Sequence, residues 1–165
     1  LKKIGLISDT HGYLDQRIPE LFGQCDEIWH AGDIGHLSVT DRLAEISLLR
    51  AVHGNIDGGK ARVQFPEYHF FELEGVKVLI IHIAGSVGKG HPRLREIIAV
   101  HGSPDMLVCG HSHILKVQKD ARFKWLYVNP GAAGIHGFHH MRTCLRLELH
   151  EGNIRNLEVV ELGKR

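Results

Sequence analysis

Cysteine is scarce in this chain: three copies in 165 residues, none in a CxxC pair. That excludes a disulfide framework and a cysteine-based zinc ribbon. Cys25, Cys109 and Cys144 each sit in or beside an apolar run, where reduced thiols are usually buried. No apolar run approaches the roughly 20 residues needed to span a bilayer. No signal-peptide pattern stands at the start, so the expectation is a cytoplasmic protein without a membrane role. An excess of one charge is also missing. Twenty Lys and Arg against 19 Asp and Glu leave +1, which gives no general attraction for nucleic acid or a membrane surface. There is no repeat, low-complexity tract or linker, and residues 1–165 read as a single domain with one sizeable core.

What the chain has in abundance is histidine, 14 copies against 6 Phe and 3 Tyr. Their positions matter more than their number. Short apolar runs bounded by Gly, Asp and Asn predict buried strands at 2–8, 27–32, 48–54, 77–83 and 105–110. Helical spacing falls between several of them, in QRIPELFGQ, in SVTDRLAEI with Ser38 as N-cap and Asp41 three residues on, and in HPRLREIIAV with Pro92 in its first turn. This alternation predicts a largely parallel sheet flanked by helices. The remaining runs pair as antiparallel hairpins: 68–75 with the strand that follows Glu74-Gly75, ILKVQKD with KWLYVNPG, and TCLRLELH with NIRNLEVVEL across Glu151-Gly152-Asn153. The simplest arrangement is α/β, with two sheets facing each other.

The ends of the five buried runs carry the chemistry. The first leads into Asp9 and His11, the second through Gly32 into Asp33, and the third through Gly54 into Asn55. The fourth contains His82 near its end, and the fifth leads through Gly110 into His111 and His113. Residues just past the carboxyl ends of strands in an α/β sheet converge on one crevice. Taken singly, Asp9, Asp33 and Asn55 fit turns and His82 fits a core histidine. Jointly they bring two Asp, one Asn and four His together, a donor set suited to a pair of divalent transition metals. A spacing of one residue, as in Asp9/His11 and His111/His113, returns two side chains to the same side of extended backbone. The intervening glycines permit close backbone approach.

The blocks SDTHG, AGDIG, HGNID, IIHIAG, CGHSH and VNPGAAG carry a resemblance. In order and approximate spacing the chain resembles the calcineurin-like metallophosphoesterases, and especially their small bacterial and archaeal phosphodiesterase branch, which is also similar to the retromer subunit of that fold. The likeness covers residue 2 to about 134. It implies a four-layer α-β-β-α sandwich with two facing mixed β-sheets, the metallo-dependent phosphatase fold. It implies one metal on Asp9, His11 and His113, another on Asn55, His82 and His111, and Asp33 bridging both. Asp33, Asn55 and His82 would serve catalysis through the metals, with Asn55 also touching substrate. The implied reaction is in-line attack of a metal-held hydroxide on a phosphate ester, most naturally a diester. Manganese is the expected metal, with iron, nickel, cobalt or zinc as substitutes.

Three departures from the family pattern stand out. Ile56 occupies the place of a histidine that helps protonate the leaving group, which disfavours unactivated esters. His82-Ile83-Ala84 replaces His-Gly-His, and His36 stands where an acidic residue is common. His53 is a candidate substitute proton donor, and His30 reads as a support for the site. His136, in GIHGFHHMR, is a candidate substrate contact on what otherwise reads as a polar surface loop. Lys60, Arg62, Lys89, Arg93 and Arg95 are scattered cations that either steer an anion or are merely solvated. The expected partner is a small phosphate ester, and a homo-oligomer is compatible with the sequence. The rival reading is a phosphoesterase-fold binding scaffold with little or no catalysis, for which Ile56 and Ala84 speak. Retention of all seven ligand-type residues speaks against it.

Overall fold

Residues 1–165 are all described by the computed structural model, as ten strands and four helices. The strands are β1 (Lys2–Ile7), β2 (Glu27–His30), β3 (Leu48–Ala51), β4 (Tyr68–Leu73), β5 (Val76–Ile81), β6 (Met106–Val108), β7 (Lys116–Lys119), β8 (Leu126–Asn129), β9 (Met141–His150) and β10 (Asn153–Lys164). They form two five-stranded sheets, ordered β10-β9-β1-β2-β3 and β4-β5-β6-β8-β7. Pairing is parallel at the centre, in β1/β2, β2/β3, β5/β6 and β6/β8. It is antiparallel in β1/β9, β9/β10, β4/β5 and β7/β8. The expected parallel sheet is thus two mixed sheets, because the hairpins read from the sequence attach to its edges.

Alternation along the strands decides the layers. Ile4 and Leu6 of β1, Trp29 of β2 and Leu145, Leu147 and Leu149 of β9 face Val76, Val78 and Ile80 of β5, with Met106, Val108 and Val128, across the gap between sheets. The opposite face of the first sheet offers Ile7, Ile28 and Cys144 to Ile18 and Phe22 of α1 (Ile18–Phe22) and to Val39 and Leu43 of α2 (Leu37–Ile46). The outer face of the second sheet presents Leu79, Leu107 and Trp125 to Leu94 and Ile97 of α4 (Pro92–His101). Each fully buried Leu or Ile contributes roughly 1.5–3 kcal/mol of transfer free energy, so three such interfaces hold four layers together in the expected α-β-β-α order. No helix is long and apolar enough to cross a membrane.

Local details refine the sequence reading. Both predicted two-residue hairpin turns have positive φ at both central residues: 52° and 74° at Glu74-Gly75, 47° and 80° at Glu151-Gly152. That is the twist which matches antiparallel strands. Helix α2 is capped by His36, whose Nδ1 accepts the Ser38 amide at 3.1 Å, rather than by Ser38. Helix α3 (Gly59–Gln64) was not anticipated, because only Ala61 is buried and no apolar stripe marks it. Cys109 and Cys144 are buried and Cys25 half-buried, all free thiols. Burial raises the pKa of the Cys25 thiol to about 11 and those of Cys109 and Cys144 to about 12.

The segment that follows His11 is fastened by Asp15. Its carboxylate accepts the Arg17 amide at 2.9 Å, Arg17 Nε at 3.1 Å and Arg142 Nη1 of β9 at 2.8 Å. Arg142 and Arg17 both also donate to the Leu162 carbonyl of β10. The Arg17 hydrogen bonds, joined by Arg142 and opposed by burial, hold the Asp15 carboxyl well below the usual carboxylate range. Because the unfolded chain takes up this proton first, Asp15 stabilises the fold above pH ~4 and loses that contribution as pH falls further. Urea unfolding of wild type is therefore expected to weaken as pH falls below about 4. Asp15→Asn should be roughly 2–4 kcal/mol less stable at pH 7, with a shallower acid dependence. Equal stability of the two proteins at pH 7 would show that the arginines hold this loop without Asp15.

Candidate metal centre

All seven side chains singled out in the sequence meet at one place. Asp9 and His11 follow β1, Asp33 follows β2, Asn55 follows β3, His82 follows β5, and His111 and His113 follow β6. The crevice is shared between two sheets rather than lying on one open sheet: three loops come from the first and two from the second. The backbone is bent to achieve this. Asp9, His11, Asp33, His111 and His113 have φ of 52°, 45°, 54°, 73° and 62°, five of the nine non-glycine residues with positive φ in the chain. Such conformations cost of order 1 kcal/mol or more each for a residue with a Cβ. Concentrated here, they aim side chains that ordinary loop geometry would point elsewhere.

Two groups of donors result, each with its ligand atoms within 4.8 Å of one another: Asp9, His11 and His113, and Asp33, His82 and His111. Asp9 Oδ1 lies 3.2 Å from His113 Nε2 and 4.0 Å from His11 Nε2. Asp33 Oδ2 sits between the groups, 3.5 Å from His11 Nε2 and 3.2 Å from His82 Nε2. Asn55 Oδ1 is 3.0 Å from both His82 Nε2 and His111 Nδ1, which adds it to the second group.

The hydrogen-bond inventory shows what this arrangement needs. His82 Nδ1 lies 2.7 Å from the Ala31 carbonyl and must carry a proton to donate to it. Nε2 of the neutral ring is then a lone pair facing the oxygens of Asp33 and Asn55, which are lone pairs as well. Asp9 Oδ1 and His11 Nε2 are buried without any hydrogen-bond partner. Converging acceptors with nothing to accept are costly and suit a cation. The electrostatics agree. Burial opposes protonation of His82, yet the hydrogen bond and charge of Asp33, with Asp9, raise its pKa. Burial likewise works against ionised Asp33, but His82 and the Ile56 amide hold its carboxyl below the ordinary range. The pocket attracts positive charge, and the donor set is that of a divalent metal site.

The support around these residues is built from backbone contacts. Asp9 Oδ2 accepts from Ser8 Oγ at 2.7 Å and from the His111 amide at 3.1 Å, joining the two sheets at the site. A Cβ at Gly54 would overlap the Asp33 carboxylate, and one at Gly110 would overlap the Ser8 hydroxyl and the Asp9 carboxylate. These two glycines leave the space in which the carboxylates stand. His30 is fully buried; its Nδ1 accepts the Gly32 amide at 3.1 Å, so Nε2–H donates to Thr10 Oγ1 at 3.0 Å, which donates to the Ile34 carbonyl at 2.9 Å. Burial lowers the His30 pKa to about 4 and keeps this bridge neutral. The small residues of VNPGAAG pack directly beneath the Asp9 loop, Ala133 and Gly134 donating to the Ser8 and Asp9 carbonyls.

One important residue escaped the sequence reading. Asp57 is buried, and its carboxylate accepts three amides: Ile34 at 3.1 Å, Gly35 at 3.0 Å and Gly54 at 2.7 Å. It ties the loop of Asp33 to the loop of Asn55. Its presence in HGNID is visible, but in sequence an Asp after Asn looks like any turn former.

The remaining candidates divide. His53 is half-buried beside Asn55, its Nδ1 2.9 Å from the Phe65 carbonyl. His136 is exposed but its ring lies against that of His11, centroids 4.8 Å apart and planes tilted by 35°, and His139 meets His113 edge-on at 5.2 Å. The surface-loop reading of GIHGFHHMR holds for Phe138, 97% exposed, while His136 and His139 rim the cleft. His36 serves the helix cap and takes no part in the site.

Two five-stranded sheets with this cleft at the carboxyl ends of β1, β2, β3, β5 and β6 define a metallophosphatase-type sandwich with a candidate cation-binding centre. Residues 3–152 match the calcineurin-like phosphoesterase superfamily domain. The chain belongs to that superfamily of metal-dependent phosphoesterases. It is similar to a probable metallophosphoesterase of Methanocaldococcus jannaschii, 29% identical over 134 residues, 78% of this chain and 67% of that one. Its fold is that of an archaeal phosphodiesterase (TM-score 0.74, 23% identity, 96% of this chain and 99% of that chain). The fold is also that of Vps29 from Chaetomium thermophilum (TM-score 0.73, 16% identity, all of both chains).

Proposed function

We propose that the protein is a phosphodiesterase that uses two divalent cations, manganese by preference. One would be held by Asp9, His11 and His113, the other by Asn55, His82 and His111, with Asp33 between them. The observation that carries this reading is the convergence of Asp9, Asp33, Asn55 and four histidines, with His82 Nε2 facing the oxygens of Asp33 and Asn55 and with Asp9 Oδ1 and His11 Nε2 buried without a hydrogen-bond partner. When bound, the cations supply an activated water and neutralise phosphate oxygens.

The residues of the chain do the rest. The Ala31 carbonyl fixes the His82 tautomer. The Ile56 amide, donating to Asp33 Oδ1 at 3.1 Å, leaves Oδ2 turned inward. Asn55, with Oδ1 directed at the histidines, keeps its Nδ2 amide free to donate to a phosphate oxygen. The hydroxyls of Ser8 and Thr10, next to Asp9, are not free to act as covalent nucleophiles: they are buried and already donate to Asp9 and the Ile34 carbonyl. Ile56, 47% exposed, stands at the rim without a proton to offer, so the enzyme favours esters with activated leaving groups. Two cavities meet at Asn55, one toward His53 and His91 and one toward Ile56 and Phe138, room for the two arms of a diester.

Metal analysis of protein prepared without added metal, then after manganese loading, should approach two ions per chain. The loaded protein should cleave activated diesters faster than the matched monoesters. Loaded protein of verified stoichiometry that turns over no phosphate ester would sink the proposal and leave the scaffold reading.

A further inference from the structure

Arg62, His91 and Arg93 come together with His53 and Glu67 around a cavity of about 180 Å³ whose inner wall is Asn55 and His82. It is therefore continuous with the metal centre, and it is large enough for a six-membered ring, since a cavity of about 150 Å³ holds benzene. Its two guanidinium groups are not equivalent. Arg93 is neutralised, with Nε and Nη2 on Glu67 at 3.0 and 3.1 Å and Nη1 on Glu96 at 2.5 Å. Arg62 has no carboxylate partner: Nε donates to the Asp57 carbonyl at 2.8 Å, and Nη2 makes long contacts of 3.4 and 3.5 Å to the Gly54 and Asn55 carbonyls. Its stem is anchored, its charge is uncompensated and its Nη1 is free. His91 adds a fixed donor. Its Nδ1 accepts the Arg93 amide at 3.1 Å, so Nε2 carries the proton whatever the charge of the ring.

Resting on the diesterase reading above, we propose that this cavity receives the non-leaving arm of the substrate, and that the arm ends in a second anionic group bound by Arg62 and His91. A guanidinium with free donors selects an oxyanion, carboxylate or phosphate, through charge-assisted hydrogen bonds. Of the five scattered cations noted in the sequence, Arg62 alone is both at the site and unpaired; Lys60, Lys89 and Arg95 do not line the cavity.

The test compares aryl diesters that share a 4-nitrophenyl leaving group and differ in the other ring, which bears a 4-carboxylate, a 4-phosphate or a neutral 4-carboxamide. With manganese-loaded wild type, kcat/KM is expected to be about tenfold or more higher for the better of the two anionic arms than for the carboxamide, the order of one charged hydrogen bond. The difference should lie mainly in KM. Arg62→Gln should bring that ratio close to one, and Arg62→Lys should restore part of it; metal content measured on each variant separates this from damage to the Asn55 loop. In parallel, calorimetry with 4-carboxyphenyl phosphate and its carboxamide analogue measures the preference as affinity, independent of turnover. Equal rates and affinities for charged and neutral arms in wild type, or a ratio that survives in Arg62→Gln, would overturn the assignment. If no diester is cleaved, the diesterase reading fails, and the calorimetric preference still decides whether the cavity binds anions.

Discussion

Asp33→Ala is expected to remove at least one of two bound cations and to lower kcat/KM on an activated diester by about a thousandfold or more. The carboxylate sits between both donor groups, 3.5 Å from His11 Nε2 and 3.2 Å from His82 Nε2, and no neighbour can replace it. Losing several kcal/mol of charge stabilisation in the transition state translates into that factor at about 1.4 kcal/mol per decade. The same variant should lose most of the thermal stabilisation given by added manganese. Ligand at a hundred times its Kd stabilises a folded protein by about 2.7 kcal/mol, and without the bridging carboxylate the affinity falls. Metal analysis, steady-state kinetics and melting with and without manganese all read the effect. A variant that still binds two ions and turns over normally would remove Asp33 from the site.

Asp57→Ala comes second, through a different physical route. Asp57 touches no proposed ligand with its carboxylate, yet the substitution leaves the amides of Ile34, Gly35 and Gly54 without partners in a buried place. At roughly 1–3 kcal/mol for each unsatisfied buried group, partly recovered by entering water, a loss of about 3 kcal/mol is expected. The loops of Asp33 and Asn55 would then separate, so metal affinity should fall together with stability. Asp57→Asn, which keeps the size but turns one acceptor oxygen into an NH2 group, should lie between the two. Chemical denaturation and manganese titration are the measurements. Unchanged metal affinity in a folded Asp57→Ala protein would show that the two loops hold their geometry unaided.

Much of the architecture is legible in the order of residues. Apolar runs of strand length, interrupted by Gly-Asp and Gly-Asn, locate β1, β2, β5 and β6 within two residues at either end, while β3 stops at Ala51, three residues before the run that predicts it. Glu74-Gly75 and Glu151-Gly152 specify hairpins because both residues must adopt positive φ. Helix α3 was not legible, since a six-residue helix that buries only Ala61 has no period to detect. The cap of α2 was misplaced by two residues, because a histidine that accepts an amide is a rarer cap than the serine beside it.

The candidate site divides in the same way. Asp, Asn and His at the ends of strands follow from local pattern, and the requirement for glycine at 54 and 110 follows from crowding that only the folded chain creates. The residue order therefore fixed which side chains carry metal-binding chemistry and on which strands they ride, because those properties are local. Tertiary packing alone decided that Asp33 stands between two donor groups, each drawn from both sheets, that Asp57 locks the Asp33 loop to the Asn55 loop, and that Arg62 faces a cavity without a counter-charge. Each of these depends on distances between segments far apart in the chain, and such distances are set by how the two sheets pack rather than by any run of neighbouring residues.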